Sequence, residues 1–147
     1  MEELDIDVVF MQKALEQARM AYDADEVPIG AVVVCNNRII GKGHNQTERL
    51  KDVTAHAEIL AITAAAGSIG GKFLDECTLY ITIEPCVMCA GAIKHARFNR
   101  IVVGATEPKM GYSNFLNDKF NTKTEIRTGV LESECRQLMK DFFAQKR

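Results

Sequence analysis

The sequence predicts a three-layer α/β/α domain built on a five-stranded mixed sheet. Three observations carry that expectation. Short β-branched runs alternate with stretches of helical periodicity, in the order α-β-β-α-β-α-β-β-α, which places helices on both faces of a sheet. Two of the strands, 31–35 and 38–43, flank Asn36-Asn37, a hairpin signal that makes the sheet mixed rather than purely parallel. No linker, repeat or low-complexity stretch interrupts the order, and 147 residues suit a single domain spanning 1–147.

Taken in order, residues 5–22 set Val9, Phe10, Ala14, Leu15, Ala18 and Ala21 or Tyr22 at helical spacing, with Asp5 or Asp7 as the N-cap. The run "DADEVPIG" breaks that helix. "AVVVC" and "RIIGKG" form the hairpin, and "HNQTERLKDVT" reads as a polar loop. A second helix covers about 55–66, with Thr54 a candidate cap and "GSIGGK" its terminator. "CTLYITI", 77–83, reads as a buried strand. A cysteine-bearing helix follows over about 85–97, with Pro85 suited to its first position. "RIVVGA" is another strand, and Thr106–Asn121 is irregular. "TEIRTGV" is the last strand, and "ESECRQLMKDFFAQ" a last helix burying Leu138, Met139, Phe142 and Phe143.

Composition narrows the function classes. Hydrophobic residues make up 47% and charged residues 26%, a globular balance. No apolar run reaches the ~18–20 residues of a membrane span, and the acidic start "MEELDIDVVF" is unlike a secretory signal, so the chain reads as cytoplasmic. Net charge is −2 but unevenly spread: residues 1–26 carry 2 basic and 8 acidic side chains, residues 91–147 carry 11 and 6. The C-terminal third therefore offers either a local basic surface for phosphates or a solvated face of mixed charge. Five scattered cysteines do not make a disulfide framework. The close pair reads better as a thiol site for metal or redox work, while Cys35, Cys77 and Cys135 read as core.

Two short stretches carry chemistry: His56-Ala57-Glu58, and thirty residues on Pro85-Cys86-Val87-Met88-Cys89. Cys86 and Cys89, three apart, share a helix face near the positive end of the helix dipole, which favours thiolate. Two thiolates and an imidazole suit zinc, and three protein ligands leave a fourth tetrahedral position for water. Two thiolates cancel the charge of the ion and blunt its acidification of water, so a nearby general base matters more. Glu58 is the candidate base. On an ideal helix i and i+2 face opposite ways, so His56 and Glu58 share a pocket only if it caps the helix end. Separately, each motif has a plain structural explanation; together, at this interval around one strand, they point to a metal centre.

The arrangement is the signature of the zinc nucleobase deaminases. More narrowly, "EVPIGAVVV", "TAHAEILAI", "TLYITIEPCVMCAGAIKHAR" and "GVLESECRQLMKDFF" resemble the bacterial tRNA-specific adenosine deaminases over nearly the full length. The resemblance implies a cytidine-deaminase-like fold and one Zn²⁺ per subunit on His56, Cys86 and Cys89. It implies Glu58 as the proton shuttle, Asn45 as a hydrogen-bonding partner of the target base, and Val27, Pro28 and Ile29 as pocket lining. It puts Lys109 near an RNA-binding loop. It further implies a homodimer acting on the anticodon loop of tRNA, turning wobble adenosine into inosine, without a membrane. Departures fall at 109–121, which is shorter than the usual glycine-rich loop, and at Asn121-Thr122, where an Asn-His pair is common. Of the remaining histidines, His44 reads as a loop residue beside Asn45, and His95 as packing against or capping the cysteine helix. Two other readings stay open: a zinc deaminase of a free base or nucleoside such as guanine or cytosine, and a non-catalytic zinc- or RNA-binding relative.

Overall fold

The computed structural model describes residues 4–114 and 123–146. The departure at Asn121-Thr122, and residues 115–121 of the one at 109–121, lie outside those residues. The order of elements is α1 (Ile6–Asp23), β1 (Gly30–Cys35), β2 (Arg38–His44), α2 (Thr47–Leu50), α3 (Ala57–Ile69), β3 (Thr78–Ile83), α4 (Val87–Ala96), β4 (Arg100–Ala105), β5 (Glu125–Arg127) and α5 (Glu132–Ala144), with a 3₁₀ turn at Tyr112–Asn114. The strands lie in the order β2-β1-β3-β4-β5. β1 pairs antiparallel with β2 and β3, while β3–β4 and β4–β5 are parallel. The five-stranded mixed sheet is therefore present. The hairpin turns on Asn36 and Asn37, both in the left-handed region that Asn tolerates.

Strand alternation splits the interior in two. Ala31, Val33, Leu79, Ile81, Ile101 and Val103 face α3 and α4. Val32, Val34, Tyr80 and Val102 face α1 and α5. The α3 layer sits unusually close to the sheet because Gly41 and Gly43 of β2 lie under Ala57, Ala61 and Ala65, spaced one helical turn apart. A Cβ on either glycine would meet the helix backbone. That contact fixes the height of α3 over the sheet, and with it the place of its first turn.

Several boundaries differ from expectation. Asp5 is the N-cap of α1, its carboxylate accepting from the N–H of Asp7 at 3.0 Å. Asp7 is instead buried as an ionic anchor. Tyr80 Oη donates to it at 2.7 Å, Arg100 holds it at 2.6 and 2.7 Å, and Arg127 at 2.6 Å. The segment after Asn45 is not wholly a loop: α2 forms there, under the carboxylate of Glu26. α3 runs three residues past the expected end and stops at Gly70 in the left-handed region. β3 starts at Thr78, one residue after Cys77, and β5 is shorter than expected, ending before Gly129. Phe142 is buried, and Leu138 and Met139 are half-buried against the core, but Phe143, in the last turn of α5, is 45% exposed. Cys77 and Cys135 are buried, whereas Cys35 is only half-buried. Among the described residues no helix is long and apolar enough to cross a membrane.

Candidate active site

The parallel pair β3–β4 ends beside the first turns of α3 and α4, where a crevice forms in open α/β sheets. His56 is not in the first turn of α3; it is the N-cap, in extended conformation, and its carbonyl accepts the first helical bond from Leu60 at 3.1 Å. Thr54 is not the cap: its hydroxyl donates to Asp52 at 2.7 Å. Cys86 likewise is the N-cap of α4 rather than a residue of its first turn, so Pro85 lies before the helix and not at its first position. These one-residue differences matter. An N-cap side chain leaves the helix at an angle unrelated to the 3.6-residue period, so His56 and Glu58 escape the opposite-face rule and look onto the same space.

The three donors meet there. His56 Nδ1 lies 3.6 Å from Cys86 Sγ and 3.3 Å from Cys89 Sγ, and all three ligand atoms fall within 4.8 Å of one another. Tetrahedral zinc with ordinary Zn–S and Zn–N bonds has an N···S edge of about 3.6 Å, so the spacing fits that ion. Hydrogen bonds from the Cys89 thiol and His56 hold the Cys86 thiol at about 4, a thiolate at neutral pH. The Cys86 partner raises His56, against the effect of burial. Cys89 is driven up by its bond to Cys86, by burial and by the charge of Glu58. The chain thus gathers two sulfur groups and an imidazole, and a metal bound there would displace the protons they carry.

Glu58 is 3% exposed. Burial pushes its carboxyl up to about 7, opposed by backbone and His56 interactions. A carboxyl that titrates near neutrality inside a site can both take and return a proton.

Of the expected substrate contacts, the structure draws Asn45 and residues 27–29 to this end of the sheet. Asn45 N–H donates to the Ile29 carbonyl at 3.2 Å, and Gln46 N–H to that of Ala55 at 3.0 Å, which seats Asn45 beside the residue preceding His56. Asn45 is buried, 7% exposed. Pro28 is buried; Val27 and Ile29 are half-buried. Lys109 is exposed and lies apart, on the rim of a 640 Å³ groove with Thr106, Arg136, Lys140 and Phe143. His44 ends β2 rather than sitting in a loop, and its Nδ1 pairs with Gln17 Oε1 at 3.2 Å. His95 is exposed in the last turn of α4.

Two buried carboxylates escaped the sequence reading. Glu26 accepts from the N–H groups of Glu48 at 3.1 Å and Arg49 at 2.8 Å, pinning the segment after Asn45. Glu84 accepts from Glu107 N–H at 3.1 Å and from the N–H and hydroxyl of Ser113 at 2.9 and 2.5 Å. Together with the Tyr112 N–H bond to the Pro85 carbonyl at 2.9 Å, this ties the Lys109 loop to the cysteine motif. The position of Glu84, adjacent to Pro85-Cys86, was the available signal.

Comparison with known proteins agrees with this geometry. The profile of the MafB19-like deaminases matches residues 7–147. The tRNA-specific adenosine deaminase of Bacillus subtilis is 42% identical over 96% of this chain and 91% of its own. A solved structure described as a tRNA:A34 deaminase that edits A to I at the wobble position of transfer RNA is 42% identical, covers 88% of this chain and 98% of its own, and superposes with a TM-score of 0.82. Guanine deaminase from Bacillus subtilis is 39% identical over 67% of this chain and 63% of its own, with a TM-score of 0.64. A donor trio at two helix starts, a buried carboxyl beside it and likeness along almost the whole chain lead to one assignment: the chain belongs to the MafB19-like deaminases, with the tRNA-specific adenosine deaminases.

Proposed function

We propose that the protein hydrolytically deaminates adenosine to inosine in tRNA, at the wobble position of the anticodon loop, as one deaminase domain over 1–147. The observation that carries the chemistry is Glu58, buried and half-ionised near neutral pH beside a three-donor metal group. The observation that favours tRNA is the similarity to tRNA-specific deaminases over almost the full length.

His56 Nδ1, Cys86 Sγ and Cys89 Sγ hold one Zn²⁺. Zinc so bound supplies a Lewis acid that lowers the pKa of water toward neutrality. Glu58 takes a proton from the attacking water and delivers it to N1 as the oxygen adds to C6; it then takes the second proton from that C6 hydroxyl and delivers it to the amino group, which leaves as ammonia when the C6–N bond breaks. Asn45 hydrogen-bonds the edge of the base through its amide, while Val27, Pro28 and Ile29 shape the apolar wall. These contacts hold the base in place of its former stacking partners, which costs least for a base already in a single-stranded loop. Lys109, Arg136 and Lys140 surround the exposed Phe143 at the same end of the sheet. Cations around an aromatic ring suit the phosphates and bases of a single strand, so binding weakens as salt rises. Val87 and Met88, exposed next to the metal cysteines, are apolar surface for a second copy in a homodimer. Acting on tRNA, the protein works in the cytoplasm.

Likeness to a guanine deaminase supports a second reading, turnover of a free base on the same centre. A non-catalytic zinc module would need a fourth protein ligand, and among the described residues the metal-competent group has three members. Incubating the zinc-loaded protein with tRNA and with a panel of free bases, scoring inosine and ammonia separately, decides between these. Inosine in tRNA is the expected result; ammonia from guanine with no inosine overturns the tRNA assignment.

A further inference from the structure

At the end of the sheet opposite the metal group, the last residue of β1, Cys35, meets the residue just before β3, Cys77. β1 and β3 pair antiparallel, with Ala31 opposite Ile81 and Val34 opposite Thr78. One step further along the same register sets Cys35 opposite Cys77. Their side chains lie on one face: Cys77 is part of the core beneath α3 and α4, and Cys35 packs against that same core. Cys35 Sγ donates to the Glu76 carbonyl at 3.8 Å, so its thiol leans toward the segment that leads through Cys77 into β3.

The backbone around the pair matters too. Cys77 N–H donates to Leu74 at 3.0 Å, and its carbonyl accepts from Asn99 at 3.1 Å. The two cysteines therefore do not exchange backbone hydrogen bonds. Such non-hydrogen-bonded antiparallel pairs have Cα atoms about 4.5 Å apart, inside the range a disulfide spans. Both are free thiols. Cys35 is half-buried and within reach of a small reagent, whereas Cys77 is buried.

We propose that Cys35 and Cys77 form a reversible intrachain disulfide by exchange with a small dialkyl disulfide. The Cys35 thiolate attacks one sulfur of the reagent, whose S–S bond breaks and whose other half leaves as a thiolate. Cys77 then attacks the Cys35 sulfur, completes the protein disulfide and expels the second small thiol. The protons lost by the two cysteines go to the two leaving thiolates. Two protein thiols are oxidised and one small disulfide is reduced. Burial and the neighbouring Cys35 push the Cys77 thiol up to about 12, which leaves the first attack to Cys35. The bond encloses β2, α2 and α3, with Asn45, His56 and Glu58 among them, and ties that segment to β3 about 20 Å from the metal donors, the length of the strand. Closing so long a loop restricts the unfolded chain.

The test treats the zinc-loaded protein with hydroxyethyl disulfide, a neutral reagent, followed by peptide mass mapping. A Cys35–Cys77 cross-link with a mass loss of about 2 Da is expected, reversed by reductant, with Tm about 5 °C higher and zinc content unchanged. Cys77→Ser should stop at a hydroxyethyl adduct on Cys35, and Cys35→Ser should give neither product. A stable adduct on Cys35 in the unsubstituted protein, a link to any other cysteine, or no reaction at either thiol overturns the proposal.

Discussion

Asp7 and Glu58 are both buried acids in first turns of helices, yet they titrate in opposite directions. Desolvation raises both. At Asp7 that effect is overcome by hydrogen bonds from Arg100, Tyr80 and Arg127, which hold the carboxyl at about 2. At Glu58 the opposing interactions are too weak, and the carboxyl stays at about 7. Burial alone therefore does not say what a carboxylate is for. The partners do: two guanidinium groups make a permanent anion that joins α1 to β4 and β5, and their absence leaves a group able to exchange a proton at neutral pH. The same fold uses one acid to hold its layers together and leaves the other buried beside the His56–Cys86–Cys89 group without a guanidinium partner among the described residues.

The largest effect that sharpens this contrast is on turnover. Glu58→Gln should lower inosine formation by about 10³–10⁴-fold while zinc, measured by atomic absorption, stays bound. Near-normal single-turnover rates in that variant would remove Glu58 from the chemistry. Asp7→Asn should destabilise the fold by about 3–5 kcal/mol in urea unfolding, since it strands two guanidinium groups, yet leave activity per folded molecule within a few-fold. Because the folded pKa of Asp7 is depressed, its contribution is complete above about pH 4 and fades as pH falls through about 2. The gap between Asp7→Asn and the parent should close over that window.

Glu58 should show the reverse in metal-free protein. Its folded pKa is raised, so its contribution is most favourable below about pH 4.5 and is lost as pH rises through about 7. Glu58→Gln should then stabilise the metal-free protein by about 2 kcal/mol at pH 8 and by nothing measurable at pH 4. An equal effect at both pH values would break the comparison. The smallest expected difference lies between the two arginines. Arg100 is mostly buried and Arg127 is not, so Arg100→Ala should cost about 2–3 kcal/mol and Arg127→Ala about 1, read from the same urea curves.

Much of the fold was legible because its signals are local. Asn36-Asn37 marks the hairpin, and Ala14, Leu15 and Ala18 mark the buried side of α1. The β-rich run Leu79–Ile83 marks a buried strand, and it is buried on both faces. What escaped depended on partners far away in the chain. Asp7 looks like one more acid near a helix start until Arg100 and Arg127 arrive, 93 and 120 residues on. The polar stretch Thr47–Leu50 forms a helix because Glu26, more than twenty residues earlier, takes its first N–H groups. Phe143 reads as inward in the sequence, but the groove it lines exists only once α5 lies beside the end of β4.

Residue type and interval alone singled out the candidate metal donors: an imidazole and two thiols at that spacing around one strand, which the fold brings together as a group able to hold a metal. The tertiary structure decided the rest of the site. It made His56 and Cys86 caps rather than first-turn residues, so that donors and acid look into one space. It also decided which buried acid meets arginines and which does not. Ligand chemistry is written within a turn or two of chain, whereas the charge a group carries depends on the dielectric and counter-charges that distant segments bring to it.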